Sequence, residues 1–350
     1  MNTNELIQSV LTFYKNNNID FDVYIIADTQ IKTKQYFANN IEHADETEFF
    51  SRTEFAEISS AIFNCFGFAK VFYSEIEFIK YILDNNISTT EYIVYNFARD
   101  GRSNGKKSLI PAFCDLFNIR YTGSNAFVIS LLRNKLIYTK FLNSNGISVP
   151  KSEIYTPLID YQKLYNLFEN QKVIVKNNSE SASIGLTKNN IFHFDNEAQD
   201  LLNILTDSMN SNSLLIQNYI DGIECEVLVL QYDKKYYALD PVEIVFRTNC
   251  KFIDTATSNS YNYDFKILDS PIKHEIQCIA QNAAELLGVK DYARFDFRIQ
   301  DNIPYLIDIA GTPYTIYHSS IAYLFTQYYQ LPYETIYKTI VACMLSNYNL

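Results

Sequence analysis

The sequence predicts an α/β protein whose first part is a parallel-sheet unit and whose last part is built on antiparallel hairpins. Three observations carry this. Strand-like apolar runs alternate with helical patterns before Pro150. Beyond Pro150 the strands come in pairs separated by short polar turns. Near the C-terminus, YARFDFRIQDNIPYLIDIAG (292–311) alternates with period two on both sides of Asp301-Asn302, the pattern of a β-hairpin.

The elements follow in order. IDFDVYIIAD (19–28) contains a strand, and TEFAEISSAIFNCFG (53–67) reads as a helix stopped by Gly67. KVFYS near residue 70 and EYIVYNF (91–97) are further strands. The loop ARDGRSNGKKS (98–108) is polar and basic, and a helix covers 108–117. VISLLRNKLIYTKFLNSNG reads as one amphipathic helix ended by Gly146. QKVIVKNN (171–178) and SIGLTKNN (183–190) are two strands flanking NSESA. NEAQDLLNILTDSM is a helix capped by Asp195 or Asn196. SLLIQNYI is a strand running into the turn Asp221-Gly222, and ECEVLVLQYDKKYYALDPVEIVF is a hairpin turning at Asp233-Lys234. Residues 248–270 lack periodicity and read as a loop. SPIKHEIQCIAQNAAELLG shows Ile272, Ile276, Ala280, Ala283 and Leu287 at helical spacing with Gly288 at the stop. The last 25 residues look helical.

With 350 residues, 47% of them hydrophobic, the chain can bury two or three cores. No apolar run reaches membrane-span length, and the N-terminus lacks the basic start and apolar block of a leader, so the cytoplasm is the expected compartment. The six cysteines are scattered without a CxxC pair, which suggests neither zinc nor a disulfide framework. A net charge of −11 argues against a nucleic-acid partner.

The late hairpin raises the chemistry. If its turn centres near Asn302, Asp296 falls opposite Asp308. Facing side chains in such a pair are about 5 Å apart at Cβ, where like charges repel. A cation between them removes that cost and uses both carboxylates as hard ligands; two solvated aspartates are the alternative. Arg294, on the same face, suits a developing oxyanion or a plain ion pair. Lys176 closes a strand before NNSESASIG, whose small residues Ser181, Ala182 and Ser183 let a phosphate approach the backbone, unless the segment is only a turn. Gln217-Asn218-Tyr219-Ile220 offers backbone groups to an adenine edge, with Glu224 placed for ribose hydroxyls; an ordinary hairpin corner would look the same.

Taken in order, IRYTGSNAF, NKLIYTKFLNSNGISVP, VIVKNNSESASIG, LLIQNYIDGIECEV, ARFDFRI and YLIDIAGTPYTIYHSS resemble the D-alanine–D-alanine ligase family of ATP-grasp enzymes, over about residues 95–325. The resemblance implies an α+β ATP-grasp architecture in three domains: an N-terminal α/β domain (1–126), a central lid (127–213) and a C-terminal domain with a mainly antiparallel sheet (214–350). It implies ATP and magnesium, small carboxylate and amine substrates, and a homodimer. Lys135 and Lys176 match phosphate-binding lysines. Glu180 to Gly185 match the loop that closes over the phosphates, with Ser183 its active serine. Asn218 to Ile220, preceded by Gln217, match the adenine hinge, Glu224 the ribose acceptor, and Phe252 and Ile307 the residues that pack on the base. Arg294 matches the arginine that binds the tetrahedral intermediate, Asp296 and Asp308 the metal ligands, and Ser319 a serine near the substrate carboxylate.

The sequence also departs from the family. Asp308-Ile309-Ala310 stands where the family has Glu-x-Asn, which leaves one metal position short of a donor. FIDTATSNSY offers Ser258 where a lysine is usual. Tyr314 replaces the glycine after Pro313. The loop 98–108 is basic where the family is acidic. The implied activity is therefore an ATP-dependent carboxylate–amine ligase of specialised metabolism, with D-alanyl-D-alanine an unexpected product. A relative that binds ATP without catalysis, serving as regulator or scaffold, is the alternative.

Overall fold

The structure, a computed structural model, describes residues 3–17, 21–30, 48–66, 68–85, 87–101, 103–159, 161–211, 213–247 and 251–348. Ile19, Asp20, Gly67, Arg102 and Cys250, which enter the expectations above, lie outside them. Strands β1 (Asp22–Ala27), β2 (Ala69–Phe72) and β3 (Tyr92–Phe97) form a parallel sheet in the order β2-β1-β3. VYIIA of β1 and all of β3 are buried, as continuous apolar runs must be when helices cover both faces. The crossovers carry the helices Arg52–Phe66 and Glu75–Asp84. Helices Thr3–Asn16 and Glu75–Asp84 are not among the elements expected above.

The C-terminal ends of β1 and β3 meet at a buried acidic group. Asp28, Glu75 and Asp100 place carboxylate oxygens within 4.8 Å of one another. Asp28 accepts from the backbone N–H of Arg99 at 2.6 Å and of Asp100 at 3.1 Å. Burial, helped by the neighbouring carboxylates, pushes Asp28 well above the usual range and Glu75 up to about 7. A carboxyl raised on folding stabilises below its unfolded value, here near 4.5, and that stability is lost as the pH climbs through about 7. Glu75→Gln, which keeps the shape and removes the charge, is therefore expected to raise the melting temperature at pH 8 by about 3 °C and to leave it unchanged near pH 5. Paired thermal melts check this, and an equal shift at both pH values contradicts it.

The middle of the chain forms a four-stranded sheet in the order β4-β7-β5-β6, from β4 (Ser152–Tyr155), β5 (Lys172–Asn177), β6 (Ile191–His193) and β7 (Leu214–Asn218). Its own apolar core includes Leu164, Phe168, Val173, Leu202 and Ile216. β7 pairs within this sheet although it follows the expected division at 213. Residues 183–190 are not the expected strand. Ala182 (φ 54°), Ser183 (φ 56°) and Gly185 (φ 74°) take left-handed backbone, which coils the segment into turns ahead of a short 3-10 helix, Lys188–Asn190. Helix Ala198–Ser208 begins at Glu197 with no side-chain cap; Asp195 instead accepts from the N–H of Glu197 before the helix starts.

The C-terminal sheet runs β11-β10-β8-β12-β13, with β9 pairing on β8. Its strands are β8 (Ile223–Tyr232), β9 (Lys235–Ala238), β10 (Val242–Phe246), β11 (Tyr263–Ile267), β12 (Tyr292–Gln300) and β13 (Ile303–Ala310), all antiparallel. Asp233 and Lys234 (φ 50° and 60°) make the tight two-residue turn between β8 and β9, as expected. The stretch read as a loop instead holds the helix Thr255–Ser260 and β11, where Tyr263, Phe265 and Ile267 alternate with exposed Asp264 and Lys266.

Helix Thr335–Asn347 is buried on nearly every face, including Tyr337, Ile340, Val341, Met344 and Leu345. It lies in one core with Ile25 and Ile93 of the parallel sheet and Leu228 and Leu230 of the antiparallel one. An all-round apolar helix of this kind fixes the two sheets against each other. Helix Lys273–Leu287 covers the other face of the C-terminal sheet with the predicted stripe Ile276, Ala280, Ala283 and Leu287, and Gly288 takes the left-handed cap (φ 68°).

Candidate active site

The late hairpin positions the central carboxylates. Its turn is Asp301-Asn302, both left-handed, so pairs near the turn such as Phe297 and Leu306 sum to 603, not 604. A bulge opposite the Asp296–Phe297 step then shifts the register by one, and Asp296 does face Asp308. The bulge also corrects the expected alternation in β13. Leu306 and Ile309 point into the core, while Ile307 and Asp308 are consecutive and both face the site. Without it, Asp308 would turn toward the apolar layer beside Phe295.

A second correction concerns the helix expected over VISLLRNKLIYTKFLNSNG. It is two helices, Ala126–Leu132 and Lys135–Ser144, broken at Arg133-Asn134. Asn134 caps the second by accepting from the N–H of Ile137 at 3.1 Å. The break brings Arg133 and Lys135 to the same region. Lys135 donates to Asp308 at 2.5 Å, and its N–H donates to the carbonyl of Asn178 at 3.1 Å.

One cavity of about 190 Å³ gathers nearly every predicted residue. Its floor is the face of β8, β12 and β13, and its charges are interleaved. Arg294 grips Asp296 through Nε at 2.7 Å and Nη2 at 2.8 Å, and reaches Glu226 on β8 at 3.2 Å. Arg298 pairs with Glu224 at 3.1 Å and donates to the carbonyl of Ile220 at 2.8 Å. Asp308 also accepts from the Tyr138 hydroxyl at 2.8 Å. Burial opposes ionisation of Asp308, but Lys135 and Lys176 outweigh it and hold the group at about 2. For Asp296 burial wins, reinforced by Glu226 and Asp308 against the pull of Arg294, and the group rises to about 7. Burial lowers Lys176 to about 8, with Asp308 opposing the fall.

The opposite wall comes from the four-stranded sheet. Lys176 donates to Gln217 at 3.2 Å. The loop Glu180–Gly185 is tied down at Arg133, which bonds Ser181 and pairs with Glu180 at 3.1 Å, and at Thr255, which donates to the Ser183 carbonyl at 2.6 Å. Ile174, Tyr219 and Phe252 make a small apolar cluster at the cavity, and Ile307 lines it as well. Asn218 lines the same cavity with its side-chain oxygen buried and without a hydrogen-bond partner.

Ser319 is not in this cavity. It lines a larger neighbouring one of about 620 Å³ and caps the short helix Ser320–Tyr323, donating to the Ile316 carbonyl at 2.7 Å and accepting from the Ala322 N–H at 3.1 Å. Arg294, Tyr314 and Glu226 border both cavities. Sequence reasoning passed over Glu226, Arg133 and Tyr138 as site residues. Glu226 had a signal, since it stands two residues from Glu224 on a strand and so shares its face.

The comparisons with known proteins agree with this geometry. The family model described as D-ala D-ala ligase C-terminus matches residues 162–342. A D-alanine–D-alanine ligase from Maridesulfovibrio salexigens is 28% identical over 247 residues, covering 68% of this chain and 78% of that protein. One from Halalkalibacterium halodurans is 27% identical over 202 residues, 57% of this chain and 64% of that protein. Among solved structures, the Bacillus anthracis D-alanine–D-alanine ligase complexed with ATP superposes with a TM-score of 0.69 at 17% identity, over 94% of this chain and 100% of that one. VanG D-Ala:D-Ser ligase from Enterococcus faecalis gives 0.64 at 14% identity, over 93% of this chain and 100% of that one. With the family model spanning more than half of its length and the ATP-grasp fold around one carboxylate–lysine–arginine cavity, the chain belongs to the D-alanine–D-alanine ligase family of ATP-dependent ligases.

Proposed function

We propose that this protein activates a small carboxylic acid with ATP and joins it to an amine, in specialised metabolism. The carrying observation is the convergence of Lys135, Lys176, Arg294, Asp296 and Asp308 on one buried cavity. A scaffold needs no such set. Phosphoryl transfer needs cations along the phosphates and an arginine where negative charge develops.

The residues fit the nucleotide and the metal. The unpaired Asn218 oxygen suits the exocyclic amine of adenine, and Ile174, Phe252 and Ile307 suit its faces. Glu224 is placed for ribose hydroxyls, and the Glu180–Gly185 loop for the phosphates. Asp296 and Asp308 would hold magnesium, which when bound neutralises phosphate charge and aligns its oxygens. Ala310, opposite Arg294 on β13, adds no donor, so a second ion would have one protein ligand fewer. Lys135 leaves Asp308 to the metal and turns to phosphate; Arg294 holds the acid's reacting oxygens. The carboxylate takes the terminal phosphoryl group and ADP leaves. The amine then attacks the acyl carbon, loses a proton and expels phosphate. The 620 Å³ cavity beside Arg294, where Ser319 lies, gives the amine room to enter. The basic loop 98–108 supports an acid other than D-alanine.

The test is ADP release from ATP and magnesium across a panel of acids and amines. The expected result is release that needs both partners, at least about tenfold above either alone. Calorimetric ATP binding without turnover for any pair favours the regulator reading, to which Ala310 and the missing loop lysine also point.

A further inference from the structure

A smaller cavity of about 100 Å³ adjoins the site, sharing Ser181, Ala182, Arg294 and Tyr314 with it. Its charged lining is Arg99, Lys107, Arg133, Arg294 and Glu48, four cations and one carboxylate among the described residues. Arg294 is already matched by Asp296 and Glu226. Glu48 is fully buried and shared among Lys107, Arg133 at 3.5 Å and Lys106 at 2.7 Å. Burial notwithstanding, these cations hold it far below the carboxylate range. The cations around it outnumber its single charge, so a substrate ammonium here would add to an excess of positive charge.

Arg99 is the exceptional member. It is 2% exposed, its guanidinium lies against the rings of both Phe50 and Tyr314 at 4.5 and 4.4 Å, and no carboxylate pairs with it among the described residues. Its Nη2 donates to the Thr312 carbonyl at 3.3 Å, while Nε has no acceptor. The N–H of Arg99 is held by Asp28, so its stem starts from a fixed point. Burying a guanidinium without an anion costs several kcal/mol, of which ring stacking returns about 2. A carboxylate set against the fork would complete the site. Lys107, pushed down to about 7 by burial, stands beside it, 3.4 Å from the Thr312 hydroxyl.

We propose that this cavity seats a second anionic group of the acid substrate, so that the acid activated at Arg294 is a dicarboxylate. The inference rests on the ligase reading for the activation step but not for the binding step, and the experiment separates the two. The full chain, with magnesium and a non-hydrolysable ATP analogue, is titrated calorimetrically with succinate or glutarate and with butyrate or valerate. The dicarboxylates are expected to bind at least about tenfold tighter, and Arg99→Met, which keeps apolar stacking, should erase the difference while Arg99→Lys restores part of it. In turnover the same ratio should appear in kcat/KM. Equal affinity of wild-type protein for both classes overturns the proposal whether or not the variants fold. So does an Arg99→Met protein that loses affinity for the ATP analogue but keeps the dicarboxylate preference, since the anion is then a nucleotide phosphate. Selective dicarboxylate binding without turnover for any amine leaves the subsite standing and removes ligation.

Discussion

Asp296→Asn is expected to lower the rate of ADP release at least ~10³-fold while leaving the fold intact, a loss of about 4 kcal/mol of transition-state stabilisation. The asparagine still offers an oxygen to Arg294, and Glu226 remains as the arginine's second partner at 3.2 Å. What disappears is an anionic ligand on the floor of the cavity, facing Asp308. The melting temperature should stay within about 3 °C of wild type, because a raised carboxyl such as Asp296 is a charge the fold bears at some expense. Binding of the nucleotide without magnesium should be unchanged and its tightening by magnesium lost. Steady-state kinetics with a magnesium titration reads both; a variant retaining a tenth of the wild-type rate would remove Asp296 from the metal site.

Gly222→Ala is expected to be the most damaging small substitution for stability. Gly222 sits between β7 and β8, where a Cβ would lie 1.8 Å from the carbonyl oxygen of Ile299 and 2.7 Å from its carbon. Both neighbours are backbone, so no side chain can swing away. β12 would have to move off β8 at the end where Arg298 clamps Glu224 and the Ile220 carbonyl. Destabilisation of at least about 3 kcal/mol follows from forced overpacking, and about 6 °C or more in melting temperature. Because the displaced strand holds Glu224 and the Ile220 carbonyl through Arg298, the proposed ribose acceptor and hinge would shift with it, and nucleotide affinity of the folded fraction should fall as well. Thermal melts and calorimetry measure the two effects, and an unchanged melt would mean the turn relaxes in a way the geometry does not suggest.

Legibility in the sequence followed the range of the interactions. The Asp296–Asp308 pair was visible because a hairpin's alternation is local, yet the bulge that brings both acids to one face was not, since Ile307 and Asp308 read alone obey period two. The break at Arg133-Asn134 hid inside a continuous amphipathic stripe; only the capping ability of Asn134 could have marked it. Strand β11 has clean alternation, but five residues after a polar stretch fall below what periodicity resolves. The loop at Ser181–Gly185 was legible as a run of small residues and not as left-handed turns, because Ala182 and Ser183 have no intrinsic preference for that backbone. Glu48 and Arg133 lie far along the chain from the basic loop that holds Arg99 and Lys107, and nothing short of the fold shows that the four share one cavity.

The most direct measurement is a crystal structure of the full chain grown with magnesium and a non-hydrolysable ATP analogue. The triphosphate is expected along Lys135 and Lys176, adenine between Phe252 and Ile307 with its amine at Asn218, and magnesium held by Asp296 and Asp308. A base bound elsewhere, or these two carboxylates still closed on Arg294 and Lys135 with no ion between them, would contradict it.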